Sequence, residues 1–194
     1  RGIEPLPNLD FKFVTANSLI GLPKVSANNQ VGLFEDRSGI EELKELREMF
    51  FNASGAEREK LKLQFVQAQN RMFEKVIEKK RGGMANLTGS LMTWDPFGHK
   101  ASTWFDPEWM FGIKDGFGIV IGNPPYVRQE EINCKEELKR EYEIFNSVSD
   151  LYTYFYERGF KLLKNSGTLT FITSSKFLRA RYGTILRKYL KEST

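Results

Sequence analysis

Phe117-Gly-Ile-Val-Ile-Gly-Asn-Pro-Pro-Tyr126 is the stretch that decides how this chain is read. Its first six residues form a short apolar run rich in β-branched side chains and bounded by glycine. That is the pattern of a buried strand in a parallel sheet. Asn123-Pro124-Pro125-Tyr126 follows without a break, so the strand runs into a stiff loop. The asparagine offers a side-chain carbonyl as acceptor. The two prolines lack an N–H and hold φ near one value, which fixes where their carbonyls point. The tyrosine adds a flat face for stacking a ring. Together these groups are suited to holding a planar amino group by its hydrogens while its nitrogen attacks an electrophile.

The flanking sequence supplies a frame for that loop. Downstream, Asn133-x-x-Glu136 predicts a short charged helix to about Phe145, and a longer helix is expected from Asp150 to Leu163. Gly167 follows, then the strand Thr168-Leu-Thr-Phe-Ile-Thr173 and a last helix carrying Tyr182, Ile185, Leu186, Tyr189 and Leu190. Strand, loop, helix, strand and helix in this order predict a parallel sheet flanked by helices. Upstream, Phe11-Lys-Phe-Val-Thr15 reads as a further strand that turns away at Ala16-Asn17-Ser18-Leu19. Ligands of such sheets bind beyond the carboxyl ends of the strands, where Asn17 and Asn123 both fall.

Between these pieces, Ser38-x-x-Glu41 and Ser54-x-x-Glu57 are capping-box starts of two amphipathic helices. The first carries Ile40, Leu43, Leu46 and Met49/Phe50. The second runs through Leu61, Phe65, Val66, Met72, Phe73, Val76 and Ile77 to a stop at Gly82-Gly83. An antiparallel hairpin is expected, either a DNA-facing or partner-facing arm or, more plainly, a spacer packing its apolar stripe. The segment from Met84 to Gly116 is irregular and holds all three tryptophans. Core filling accounts for them more simply than base stacking. His99 is the sole histidine and has no Cys or His companion, so no metal site is expected.

Composition sets outer bounds. The chain has 194 residues, 40% of them hydrophobic and 16 of them Phe, enough for a packed core and incompatible with a disordered segment. With 29 basic and 25 acidic residues the net charge is +4, compatible with nucleic acid without demanding it. A single cysteine, Cys134, cannot close an internal disulfide, and nothing resembles a signal peptide or membrane span, so the chain reads as intracellular. Opening at Arg1-Gly-Ile and ending at Glu192-Ser-Thr194, it reads as a piece of a longer polypeptide.

Phe-Gly-Ile-Val-Ile-Gly-Asn-Pro-Pro-Tyr-Val-Arg resembles the catalytic motif of the adenine-N6 DNA methyltransferases, above all those of type II (type IIG, Eco57I-like) restriction–modification enzymes. Asp150-Leu-Tyr-x-Tyr-Phe-Tyr-Glu-Arg-Gly, Leu-Leu-Lys-x-x-Gly, Phe-Ile-Thr-Ser-Ser-Lys-Phe-Leu and Tyr182-Gly-x-x-Leu-Arg187 are similar to that family in order and spacing. Phe13-Val-Thr-Ala-Asn17-Ser-Leu resembles its segment that reaches the adenine of the methyl donor. The likeness covers residues near 10–22 and 113–190, and the hairpin between them only loosely. The four-residue motif also occurs in enzymes methylating glutamine of release factors or guanine of RNA, and the downstream stretch separates these from the DNA group.

The resemblance implies a fold and a mechanism. The fold is α/β, a partial Rossmann-like class I methyltransferase sheet with helices on its faces and a helical-hairpin insertion. Residues 1–30 would form a strand and the donor-adenine loop, 31–112 the insertion, and 113–194 the catalytic half. The cofactor implied is S-adenosyl-L-methionine, contacted by Asn17, Ser18 and Leu19. The partner is double-stranded DNA with a flipped adenine, in the cytoplasm of a prokaryote. Asn123 and the Pro124 carbonyl would accept the adenine amino hydrogens, with Pro125 stiffening the loop and Tyr126 stacking on the base. Phe177 is a candidate for the base's second face, with core packing as the plainer reading. Arg128, Lys176, Arg179 and Arg181 could contact phosphates, each otherwise a solvated charge. A glutamine-N5 or RNA amino-methyltransferase, and a non-catalytic DNA-binding or structural remnant, are the competing readings.

Two departures from the family matter. Its glycine-bearing donor loop, and the acidic residue that holds the ribose, have no counterpart upstream of Asn17, where the usual Asp is replaced by Asn. The isolated fragment is therefore expected to be inactive. In the family's sheet, moreover, two strands separate those matching 11–15 and 117–121. This chain is accordingly expected to oligomerise, swap strands or pair those two strands directly.

Overall fold

The computed structural model describes residues 10–22, 37–78, 94–98 and 100–193. It contains two compact units, one of Arg1–Asn17 with Leu22–Gly112, the other of Ser18–Gly21 with Ile113–Thr194.

The first unit is built on the hairpin of α1 (Arg37–Asn52) and α2 (Gly55–Glu78). Ala53 and Ser54 make the turn. The helices run antiparallel, with Gly39 against Met72 and the Arg71 guanidinium 2.6 Å from Glu42. The inward stripe of α1 is Ile40, Leu43, Arg47 and Phe50, whereas Met49 is exposed. Arg47 takes a core position that apolar periodicity cannot mark. It donates to the Trp109 carbonyl at 2.8 Å and lies over the rings of Phe11 and Phe65.

Trp94, Trp104 and Trp109 are all buried, with Trp109 stacked on Phe73 at 5.2 Å, as core filling requires. The short helix α3 (Pro107–Phe111) starts where the Asp106 carboxylate accepts the Trp109 N–H at 2.8 Å. It stops at Gly112, whose φ of 73° suits the left-handed cap.

The expected strand at 11–15 does not form. Residues 10–12 make a turn with Phe11 at φ 61°, and Ala16 alone bridges Ser102. Phe11 instead inserts edge-on among Phe50, Phe65 and Phe97, at ring distances of 5.4, 4.8 and 5.1 Å. Aromatic pairs add about 0.5–1.5 kcal/mol beyond burial, so a packed Phe11 outweighs an unpartnered strand. His99 and the Gly82-Gly83 stop lie outside the described residues.

The second unit is mixed α/β around a two-stranded parallel sheet of β1 (Phe117–Gly122) and β2 (Leu163–Phe171). Ile119, Val120, Ile121 and Gly122 pair with Thr168, Leu169, Thr170 and Phe171 in regular register. The sequence reading covers this regular part. β2 begins earlier, directly after a helix, because Leu163 already pairs with Phe117. The excess residues between them form an irregularity with Ser166 at φ 62°. β1 thus pairs with β2 and not with residues 11–15.

Helices α4 (Lys135–Glu141), α5 (Tyr152–Leu162) and α6 (Gly183–Ser193) complete the unit. The helix expected to reach Phe145 stops at Glu141. The buried Glu157 carboxylate takes the Glu143 and Ile144 N–H groups, at 3.1 and 3.0 Å, which a continuing helix would have used itself. Lys161 balances that carboxylate at 2.5 Å.

The strand read as buried is covered on one face only. Gly159 brings α5 close to Leu169 and Phe171, on the face shared with Val120 and Gly122. On the other face Ile119 and Ile121 are 69% and 76% exposed, and Ile172 just past β2 is 70% exposed. Among the described residues no helix lies on that face.

Candidate active site

β1 and β2 are parallel, so their carboxyl ends lie on the same side. Both site loops leave from there. Asn123-Pro-Pro-Tyr126 follows Gly122, and Ser174, three residues beyond Phe171, caps the 3-10 turn Ser175–Leu178.

The first loop is held by three hydrogen bonds. The Ile172 N–H donates to the Gly122 carbonyl at 3.0 Å, extending the sheet to the brink of the loop. The Tyr126 hydroxyl donates to the Ile172 carbonyl at 3.3 Å, which fixes the ring. The Leu151 N–H donates to the Val127 carbonyl at 2.9 Å and ties the loop's far end to the start of α5. Pro124 is buried, while Asn123, Pro125 and Tyr126 are exposed. Buried proline anchors the loop, and its polar and aromatic members face outward. Such a loop is organised before any ligand arrives, which is what electrostatic stabilisation of a reacting group requires.

Beside Tyr126 lies a cavity of about 280 Å³ lined by Tyr126, Arg128, Asp150, Tyr152, Ser174 and Lys176. It joins residues from the strand loop, the start of α5 and the second loop. Aromatic contacts brace it from behind. Tyr126 meets Tyr152 at 6.3 Å, Tyr152 meets Phe177 at 6.4 Å, and Phe177 meets Tyr156 at 5.3 Å. Burial, with help from the Tyr182 hydroxyl at 3.1 Å, pushes the Tyr152 hydroxyl well above the ordinary phenol range, so it stays neutral. The Tyr156 hydroxyl bonds that of Thr173 at 2.6 Å and pins the end of β2.

Of the residues marked by the sequence, Tyr126, Arg128 and Lys176 come together in this cavity. Phe177 is buried at the bend of the turn beside Tyr152 and Tyr156, the core packing given above as its plainer reading. Arg179 and Arg181 are exposed and do not line the cavity. Asn17 belongs to the first unit, where its N–H donates to the Ser102 carbonyl at 2.9 Å. Ser18 and Leu19 belong to the second. Their carbonyls accept from Arg158 at 2.7 Å and Tyr142 at 2.6 Å, and the Leu19 side chain sits in the core.

Sequence reasoning does not mark Asp150, Tyr152 or Ser174 as site residues. Asp150 reads as a helix start and Tyr152 only as part of a stretch similar to the family, and nothing local shows either as facing a cavity. Among the described residues no cluster of acidic, His or Cys side chains is arranged to hold a metal ion, and no helix is long and apolar enough to cross a membrane.

The residues present do not by themselves make a site for S-adenosylmethionine. The Leu19 side chain is committed to the core, and Asn17 stands where the family this chain resembles usually has Asp.

A sequence model of the Eco57I restriction-modification methylase family matches residues 57–194. The match reaches back into α2, where the sequence likeness is only loose, and starts after the Asn17 segment. Among individual relatives, the type II methyltransferase M.BstVI of Geobacillus stearothermophilus is 39% identical over 79 residues, 40% of this chain and 14% of that protein. The type II restriction enzyme and methyltransferase RM.Eco57I of Escherichia coli is 38% identical over 82 residues, 40% of this chain and 8% of its own length. The type II methyltransferase M.PaeR7I of Pseudomonas aeruginosa is 37% identical over 82 residues, 41% of this chain and 14% of that protein. The chain thus matches only a small part of the length of each.

Proposed function

The chain belongs to the Eco57I restriction-modification methylase family, and on that premise we propose that it forms the substrate-handling part of a DNA methyltransferase acting on the N6 amino group of adenine. The observation that carries this reading is the braced loop Asn123–Tyr126 at the shared carboxyl end of the sheet, beside a cavity with a tyrosine wall and two cations. The fold is then the part of a Rossmann-like sheet around its catalytic strand.

The residues divide the work between them. The Asn123 side-chain oxygen and the Pro124 carbonyl accept the two amino hydrogens. This draws electron density onto nitrogen and tilts it toward the tetrahedral geometry of a direct displacement. The contribution is positioning and electrostatics, with no strong base required, because the nitrogen becomes acidic once alkylated. Pro125 keeps the loop from adapting. Tyr126 stacks on the extruded base, worth about 1–3 kcal/mol against the few kcal/mol of unstacking. Arg128 and Lys176 hold the backbone phosphates beside that base. The methyl donor of this chemistry is S-adenosylmethionine, in a site these residues do not complete.

A non-catalytic remnant is the second reading, in keeping with Asn17 standing where the family usually has Asp. Methyl transfer from labelled donor separates the two, assayed on duplex DNA, RNA and protein with the longest polypeptide in which these residues occur. Label should enter DNA as N6-methyladenine, and Asn123→Ala should lower the rate about 10²-fold or more. Label in RNA or protein, or a rate untouched by the substitution, would overturn the proposal.

A further inference from the structure

Arg128, Lys176 and Asp150 line one cavity beside Tyr126, and none of the three forms an ion pair with another described residue. Opposite charges sharing a cavity ordinarily close on each other when their backbones let them. Here they are carried by three separate elements: the loop after β1, the start of α5 and the turn after β2. The Ser174 hydroxyl accepts the Lys176 N–H at 3.3 Å, and the Thr153 hydroxyl and N–H both donate to the Asp150 carbonyl, at 2.8 and 3.1 Å. Those backbones are set, so the charges stay apart. The remaining lining groups, Tyr126, Tyr152 and Ser174, carry no formal charge, and Glu130, which feels Arg128, is fully exposed and outside the lining.

The cavity therefore holds two formal positive charges and one negative, a net of one positive. A terminal phosphate monoester is a dianion near neutral pH, whereas an internal phosphodiester is a monoanion. Two cations alone would favour the dianion, since attraction grows with the product of charges. A carboxylate in the same cavity subtracts a repulsion that is twice as large for the dianion. We propose that Asp150 is a specificity-determining residue that lessens this cavity's electrostatic preference for a dianionic mononucleotide or inorganic phosphate over a phosphodiester monoanion, an internal nucleotide of a strand. The inference rests on the reading of the cavity as the nucleotide site. It adds a device by which mononucleotides compete less well for a pocket that must accept a nucleotide within a chain.

The test compares two ligands with the same base, 2′-deoxyadenosine 5′-monophosphate and its phosphate methyl ester, by ligand-observed NMR titration at low salt. Both should bind the wild-type chain, and both should weaken in the Arg128→Gln, Lys176→Gln double variant. Asp150→Asn keeps the shape and removes the charge. It should strengthen the monophosphate over the methyl ester, moving their affinity ratio about threefold or more, and the shift should shrink as salt rises. Asp150→Ser should move the ratio the same way. A ratio unchanged in both Asp150 variants, with binding still lost in the double variant, overturns the role of Asp150 and leaves the site standing. Binding of neither ligand, or binding indifferent to the double variant, overturns the site and the inference with it.

Discussion

Tyr142 donates its hydroxyl hydrogen to the Leu19 carbonyl at 2.6 Å from a buried position, and burial raises its pKa well above the ordinary phenol range. In the unfolded chain the same group ionises near pH 10. Above that pH the unfolded state binds fewer protons than the folded one. The stability contributed by Tyr142 is therefore complete below about pH 10 and falls as pH rises further. Arg47 acts in the opposite sense in the first unit. Burial lowers it to about 10, so between there and its unfolded value stability rises with pH. Comparing the wild type with Tyr142→Phe cancels the Arg47 contribution. The variant should lose about 1 kcal/mol at pH 7, the usual worth of a hydrogen bond, and decline less steeply above pH 10 in urea denaturation. Parallel declines would show that Tyr142 is not the group responsible.

Helix α6 and the turn 175–178 are joined at Gly183. A β-carbon there would run into the Phe177 carbonyl oxygen, and that same oxygen accepts from Arg187 at 2.5 Å. The turn carries Lys176 into the cavity, so the helix start sets where one cation of the site stands. Gly183→Ala should cost about 2 kcal/mol or more, since backbone and not a flexible side chain must move. It should also weaken nucleotide binding beyond what the stability loss explains. Urea denaturation and the NMR titration check the two halves, and an alanine variant of wild-type stability would mean the helix shifts freely on its turn. At this scale the regular parts of α1, α2 and β1 are legible in the sequence, because each has a clean period or apolar run. The early end of α4 is not, because its cause is the carboxylate of Glu157, well beyond Glu141 in the chain.

Among the described residues the sheet has two strands, two open edges and one face with Ile119, Ile121 and Ile172 in solvent. Parallel sheets normally carry helices on both faces, and unpaired edges invite further strands. The chain by itself is expected to self-associate at micromolar concentration, seen as concentration-dependent mass in light scattering. Ile121→Lys should shift it toward monomer with little loss of stability, because the side chain is already exposed. A concentration-independent monomer would count against the expectation.

The sequence by itself determined the strand into Asn123-Pro-Pro-Tyr126, the hairpin, and the acceptor and ring groups the loop presents, because those depend on residues adjacent in the chain. It also named Arg128, Lys176, Arg179 and Arg181 as cations that could contact phosphates, and the structure brings the first two into one cavity. Only the tertiary structure decided that Asp150 shares their cavity, that Phe177 is buried, and that Phe11 leaves a strand for an aromatic cluster. Each of these depends on which side chains meet across long separations, where burial and the distance between charges outweigh local propensity.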